Sequence, residues 1–161
     1  MSALHILLSD IISNSQKVAV LGAGSPLLGD DAAGNAVAEA LVDRLPSDRV
    51  AVYCGCTAPE NFTGVIKRFQ PDALLIIDAA DMGLPTGAVA LIDPCEVGGV
   101  SFSTHMLPLK IMLEYLKREI GCRVYILGIQ GACLDFGAEL SPEVRSAVHE
   151  VTNALLELLS E

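Results

Sequence analysis

Apolar residues along the chain switch repeatedly between helical and strand-like spacing, and that alternation predicts an α/β domain. Residues 3–13 put Leu4, Leu7, Leu8 and Ile11 on one helical face. "KVAVLG" (17–22) reads as a central strand. Val37, Leu41 and Leu45 predict a helix over 35–45, with Pro46 as its stop. Residues 49–54 read as a second strand. In "TAPENFTGVIKRF", Thr57 and Glu60 have capping-box spacing, Pro59 falls in a first turn, and Phe62, Val65, Ile66 and Phe69 make one stripe. "ALLIID" (73–78) is almost wholly apolar, as in a strand buried on both faces. Residues 88–92 and 123–129 are further strands, and Leu109, Met112, Leu113 and Leu116 mark a helix beginning near Pro108. Ser141-Pro142 opens a last helix with Val144, Val148, Val151 and Leu155 inward. The sum is one three-layer α/β domain over 1–161. It has a mainly parallel twisted sheet of about five or six strands, helices on both faces, and residues 3–13 as an extra N-terminal helix.

Composition narrows the function. With 52% hydrophobic and only 4% aromatic residues, the 161-residue chain must build its core from Ala, Val, Ile and Leu. A net charge of -10 opposes nucleic-acid binding, which needs a basic footprint, and an anionic membrane would repel it. A metal, a cationic partner or a basic peptide is compatible, and solubility alone is the competing reason for such acidity. No apolar run approaches the roughly 18 residues of a membrane span. "MSALHILLSDIISNSQ" lacks a basic n-region and a cleavage site, so a cytoplasmic protein is expected. Five cysteines without a C-x-x-C suggest reduced thiols. Cys54 and Cys56 form a C-x-C that reads either as small buried hydrophobes or as a soft-metal pair.

Ligands of open α/β sheets bind beyond the carboxyl ends of the strands. Three chemistry-bearing residues fall there. Asp31 follows the first strand and opens a helix, Asp78 ends a buried strand, and His105 lies in the loop "SFSTHMLP" before a helix. Two carboxylates and one imidazole make an O/O/N set for a divalent metal. Taken singly, Asp30 or Asp31 also fits a helix N-cap, Asp78 an Asx-type turn, and His105 a loop position without a role. A nucleotide site fits less well. "GAGSPLLG" is G-x-G-x4-G without a Walker lysine, and adjacent acids oppose phosphate. Nothing matches G-x-S-x-G.

These segments resemble the hydrogenase maturation endopeptidases. "GAGSPLLGDDAAG" (22–34) is similar to the family's G-x-G-N-x-L-x-x-D-[DE]-x-x-G, "LLIIDAADMG" (74–83) to its strand ending in D-A, and "STHMLPL" (103–109) to its loop histidine. "APEN", "DMG", "IDP" and "LGIQ" resemble the branch acting on hydrogenase 3. The resemblance implies an endopeptidase that trims the C-terminal tail of a nickel-loaded [NiFe] hydrogenase large-subunit precursor. It also implies that Asp31, Asp78 and His105 hold the metal, which the precursor itself supplies. A non-proteolytic nickel-binding assembly protein on the same fold is the alternative. Ser25-Pro26 replaces the family's Asn, Cys54 and Cys56 replace a D-G-G-like segment, and the first helix precedes the family's usual start. "DPC" (93–95) echoes a metal-binding motif of the large subunits and is read as a coincidence in a turn.

Overall fold

The computed structural model describes residues 2–45, 47–93 and 106–160, the first three of the last span as backbone only. Its elements follow the predicted alternation. α1 (Ala3–Ser13), β1 (Val18–Gly22), a 3₁₀ turn (Gly29–Ala32), α2 (Ala33–Leu41) and β2 (Val50–Cys54) come first. A second 3₁₀ turn (Pro59–Phe62), α3 (Thr63–Phe69), β3 (Ala73–Ala80) and β4 (Val89–Ile92) follow. The chain then forms α4 (Met106–Ile120), β5 (Arg123–Gln130) and α5 (Pro142–Leu159).

The five strands lie in the order β2-β1-β3-β5-β4. Neighbours run parallel from β2 to β5, with Val20 opposite both Val52 and Leu75, while β4 closes the edge antiparallel to β5. All eight residues of β3 are buried, as a central strand sandwiched by helices requires. Side chains alternate across the sheet. Val18, Val20, Leu75 and Ile77 face α1, α2 and α5, whereas Leu21, Leu74 and Ile76 face α3 and α4. Each such Leu or Ile contributes about 1.5–3 kcal/mol by leaving water.

Three local expectations change. α2 ends at Leu41, four residues early, although Leu45 is still buried in the turn beyond; Pro46 lies outside the described residues. The Thr57–Glu60 capping box does not form. Backbone bonds from Ala58 to Gly55 and from Asn61 to Ala58 wind the segment into the 3₁₀ turn first. The Thr63 hydroxyl then donates to the Glu60 carbonyl at 2.6 Å. Ser141 precedes α5 but its hydroxyl does not cap it, having a partner elsewhere. α4 starts two residues before Pro108, and its four predicted apolar positions are all buried.

The chain leaves β1 through α2 to reach β2 on one side. It returns through α3 to β3 on the other. The strand order therefore reverses between β1 and β3, and in such sheets ligands bind beyond the carboxyl ends of the strands at that point.

Candidate functional site

The loop after β1 is stitched to both neighbouring strands. Ala23 donates its N–H to the Ile77 carbonyl at 2.9 Å, and Gly24 donates to the Cys56 carbonyl at 2.8 Å. Gly24 has φ +121, and a Cβ there would overlap the Asp31 carbonyl. A Cβ on Gly34 would run into the Ile77 carbonyl, so α2 starts directly on the strand ends. The glycines of "GAGSPLLGDDAAG" thus serve close backbone approach around Asp31.

Asp30 and Asp31 are both buried, at 0% and 7% exposure, yet they face different surroundings. A 3₁₀ turn advances each residue by about 120°, so adjacent side chains diverge. Asp30 points into the loop after β5. One oxygen accepts from the N–H groups of Ala132 (2.9 Å) and Cys133 (3.0 Å) and from the Ser141 hydroxyl (2.7 Å). The other accepts from the Ser141 N–H at 2.7 Å. Burial pushes the Asp30 pKa up, but the bonds from Ser141, Cys133 and Ala132 together outweigh it and hold the carboxyl below its ordinary value. Asp30 is a clamp between two loops.

Asp31 has a different balance. Its Oδ2 accepts from the Ser25 N–H at 2.7 Å. Its Oδ1 is buried and has no hydrogen-bond partner among the described residues. An orphaned buried carboxylate oxygen is costly unless something cationic or donating meets it. The Ser25-Pro26 departure is compatible with this arrangement, because the backbone of Ser25, not its side chain, holds Asp31.

Asp78 is 3% exposed and lies within β3, opposite Gly128, since the strand continues two residues past it. By alternation it shares the face of Ile76 and Ala80, under α3 and α4. Asp31 and Asp78 both lie toward the carboxyl ends of β1 and β3: the loop that carries Asp31 is tied by the Ala23 N–H to the carbonyl of Ile77, next to Asp78. His105 lies outside the described residues. Among those described, no three His, Cys, Asp or Glu residues gather as a metal-binding group. Two buried carboxylates, one with an orphaned oxygen, suit a divalent cation completed by a further donor.

The Cys56 thiol donates to the Asn35 side-chain carbonyl at 3.4 Å, and the same oxygen accepts the Cys56 N–H at 3.1 Å. Burial, then the Glu39, Cys56 and Asp43 charges, raise the Cys54 pKa. Such a thiol is a poor thiolate ligand. Burial pushes Cys122 up to about 11, and Cys95 lies outside the described residues.

Sequence reasoning missed Gln130. Buried at the end of β5, its Oε1 accepts from the Met82 N–H at 2.7 Å and from Leu84 at 3.3 Å. Its Nε2 donates to Asp81 at 3.3 Å. It sets the loop after β3. The available signal was the one used for Asp78, a polar residue closing an apolar strand.

Comparison with known proteins agrees with this architecture. The hydrogenase maturation protease model of the HycI type matches residues 36–158. The chain belongs to the hydrogenase maturation proteases. The Escherichia coli hydrogenase 3 maturation protease is 36% identical over 137 residues, 84% of this chain and 86% of that one. A Methanocaldococcus jannaschii protein, provisionally named a hydrogenase maturation protease, is 35% identical over 162 residues, 96% of this chain and 95% of its own length. The crystal structure of the [NiFe] hydrogenase maturation protease HycI from Thermococcus kodakarensis superposes with a TM-score of 0.87. It shares 29% identity and covers 96% of this chain and 99% of that one. The hydrogenase maturation protease fold thus extends across nearly the whole chain. Among the described residues no helix is long and apolar enough to cross a membrane.

Proposed function

We propose that this maturation protease removes the C-terminal tail of a nickel-loaded [NiFe] hydrogenase large-subunit precursor, and that Asp31, Asp78 and His105 contact the nickel. The observation that carries the reading is the Asp31 carboxylate. One oxygen is fixed by Ser25 and the other is buried without a partner among the described residues. Nickel would arrive with the substrate, as its cargo. A divalent ion in that position would act as a Lewis acid toward a nearby carbonyl. The chain's own part is to hold two carboxylates on a rigid sheet end, so that precursor without nickel meets unneutralised charge and is not retained. Proofreading follows: no metal, no cut. The free thiols of Cys54, Cys56, Cys122 and Cys133 suit the reducing cytoplasm in which this processing would occur.

The test is cleavage. Purified protein is incubated with nickel-loaded and with nickel-free precursor from the same source, alongside Asp31→Asn, Asp78→Asn and His105→Ala. Loss of the C-terminal tail, read by mass, is expected only with nickel and with all three residues intact. Nickel binding and precursor binding without any tail loss would instead establish the non-proteolytic assembly protein.

A further inference from the structure

Beside Asp31 the surface turns apolar. Leu27 is 57% exposed and Phe136 79%, with Leu28 between them at 37%. Scattered exposed apolar residues are ordinary. These three are fastened together: Leu28 and Phe136 pair as an isolated antiparallel bridge, and the Gly137 N–H donates to the Leu27 carbonyl at 2.8 Å. Asp30 anchors both loops from beneath through Ala132, Cys133 and Ser141. The lip is continuous with the site, since the Asp31 N–H donates to the Leu28 carbonyl at 3.0 Å. A side chain as large as Phe136 is held exposed on a rigid support.

Charge distinguishes the two ends of the sheet. Of ten Lys and Arg residues, only Lys110 and Arg145 lie in the opening turns of helices that start at the carboxyl end. Arg145 is already 3.4 Å from Glu139. The rest sit just before or at the first residue of a strand, or in and beyond the last turns of helices, at the amino end. Asp81, Asp135 and Glu139 are exposed at the carboxyl end. Its rim is therefore apolar and acidic, a surface complementary to an apolar segment carrying basic residues.

We propose that the lip of Leu27, Leu28 and Phe136 docks an extended, apolar and basic segment of the precursor's C-terminal tail, seating it beside Asp31. The inference rests on the proposed processing reaction. Phe136 is the anchor, Leu27 and Leu28 flank it, and preorganisation by the bridge reduces the entropy lost on binding.

The test separates docking from cutting. A labelled synthetic peptide of the precursor's C-terminal tail is titrated with the full-length protein by fluorescence anisotropy. In parallel, KM and kcat are measured on nickel-loaded precursor. Phe136→Ser and Leu27→Ser change exposed side chains, and thermal melts check that both variants fold. Phe136→Ser is expected to raise peptide Kd and precursor KM about tenfold or more, with kcat within about twofold, and Leu27→Ser to raise both less. Raising salt from about 0.05 to 0.5 M should weaken peptide binding further. Unchanged Kd and KM in both folded variants would overturn the proposal. So would a peptide that binds equally well with its Lys and Arg replaced by Glu, or a loss of self-association by Phe136→Ser in ultracentrifugation, which would make the occupant a second copy. Binding of intact precursor but never of the tail peptide would also overturn it. If the peptide binds through Phe136 but no cleavage occurs, docking stands and the protease reading falls; cleavage with a Phe136-independent KM gives the reverse.

Discussion

The two ends of the sheet treat their carboxylates differently. At the amino end Asp72 accepts from the N–H groups of Gln16 and Lys17, both at 2.7 Å. Arg123 there reaches the Asn14 carbonyl and the Ser15 hydroxyl, both at 2.8 Å. These groups hold the turn into β1 and are occupied in doing so. At the carboxyl end Asp30 is equally saturated, but Asp31, one residue on, keeps a buried oxygen without a partner among the described residues. Of the two neighbouring acids, only Asp31 thus leaves an oxygen that a ligand could still meet, which is the observation behind its proposed contact with nickel.

Stability measurements sharpen the contrast. The largest loss should come from Asp30→Ala. It strips partners from three backbone N–H groups and one hydroxyl, and each unsatisfied donor costs about 1–3 kcal/mol before water enters. Partial hydration of the opened loops leaves an expected loss of about 3 kcal/mol in urea unfolding. A loss under about 1 kcal/mol would mean that the clamp is not structural.

Gly34→Ala comes next, at about 2 kcal/mol by thermal or urea melts, because its methyl would press on the Ile77 and Ala23 carbonyls and lift α2 from the strand ends. The same lift would carry Asp31 away from the carboxyl ends of β1 and β3, so processing should fall with stability in this variant. Full activity with lost stability would show that the position of α2 does not set the site.

Much of this frame was legible along the chain. The unbroken apolar run of β3 announced a central strand, and the apolar spacing of α4 and α5 named their buried faces correctly. Local signals misled where a distant group competed. Ser141 looked like a helix cap, but its hydroxyl is taken by Asp30, 111 residues earlier. Thr57 and Glu60 had the right spacing for a capping box, but the 3₁₀ turn at Pro59 formed instead. The acidic pair was the instructive case. Sequence placed both aspartates after a strand and picked Asp31 for the site, but it gave Asp30 nothing beyond a candidate helix cap, because the clamp depends on the loop after β5 folding onto it.

At the amino end the expected effect is smaller and depends on pH. The N–H bonds of Lys17 and Gln16 hold Asp72 below its ordinary value of 3.8. A carboxyl with a lowered folded pKa stabilises fully above its unfolded value, and that contribution is lost as pH falls through the folded pKa. Asp72 is exposed, so solvent screening limits the effect. Asp72→Asn should cost about 0.5–1 kcal/mol at pH 7, with the difference from the unaltered protein shrinking below about pH 4. A difference constant from pH 7 to 3 would deny the clamp its charge.

The smallest stability effect should come from Asp31→Asn. The substitution keeps an oxygen to accept the Ser25 N–H and replaces the orphaned carboxylate oxygen with an amide nitrogen of similar size. No described partner is lost and a buried charge is removed, so stability should stay within about 0.5 kcal/mol or rise slightly. Processing of nickel-loaded precursor should nevertheless fall by about a hundredfold or more, as expected when a group facing the reacting centre loses its charge. This opposition is the sharpest form of the comparison with Asp30, where stability should be lost. If Asp31→Asn instead costs more than about 2 kcal/mol, its second oxygen has a structural partner. The two neighbouring acids would then be two clamps of one kind, and the candidate site would need another centre.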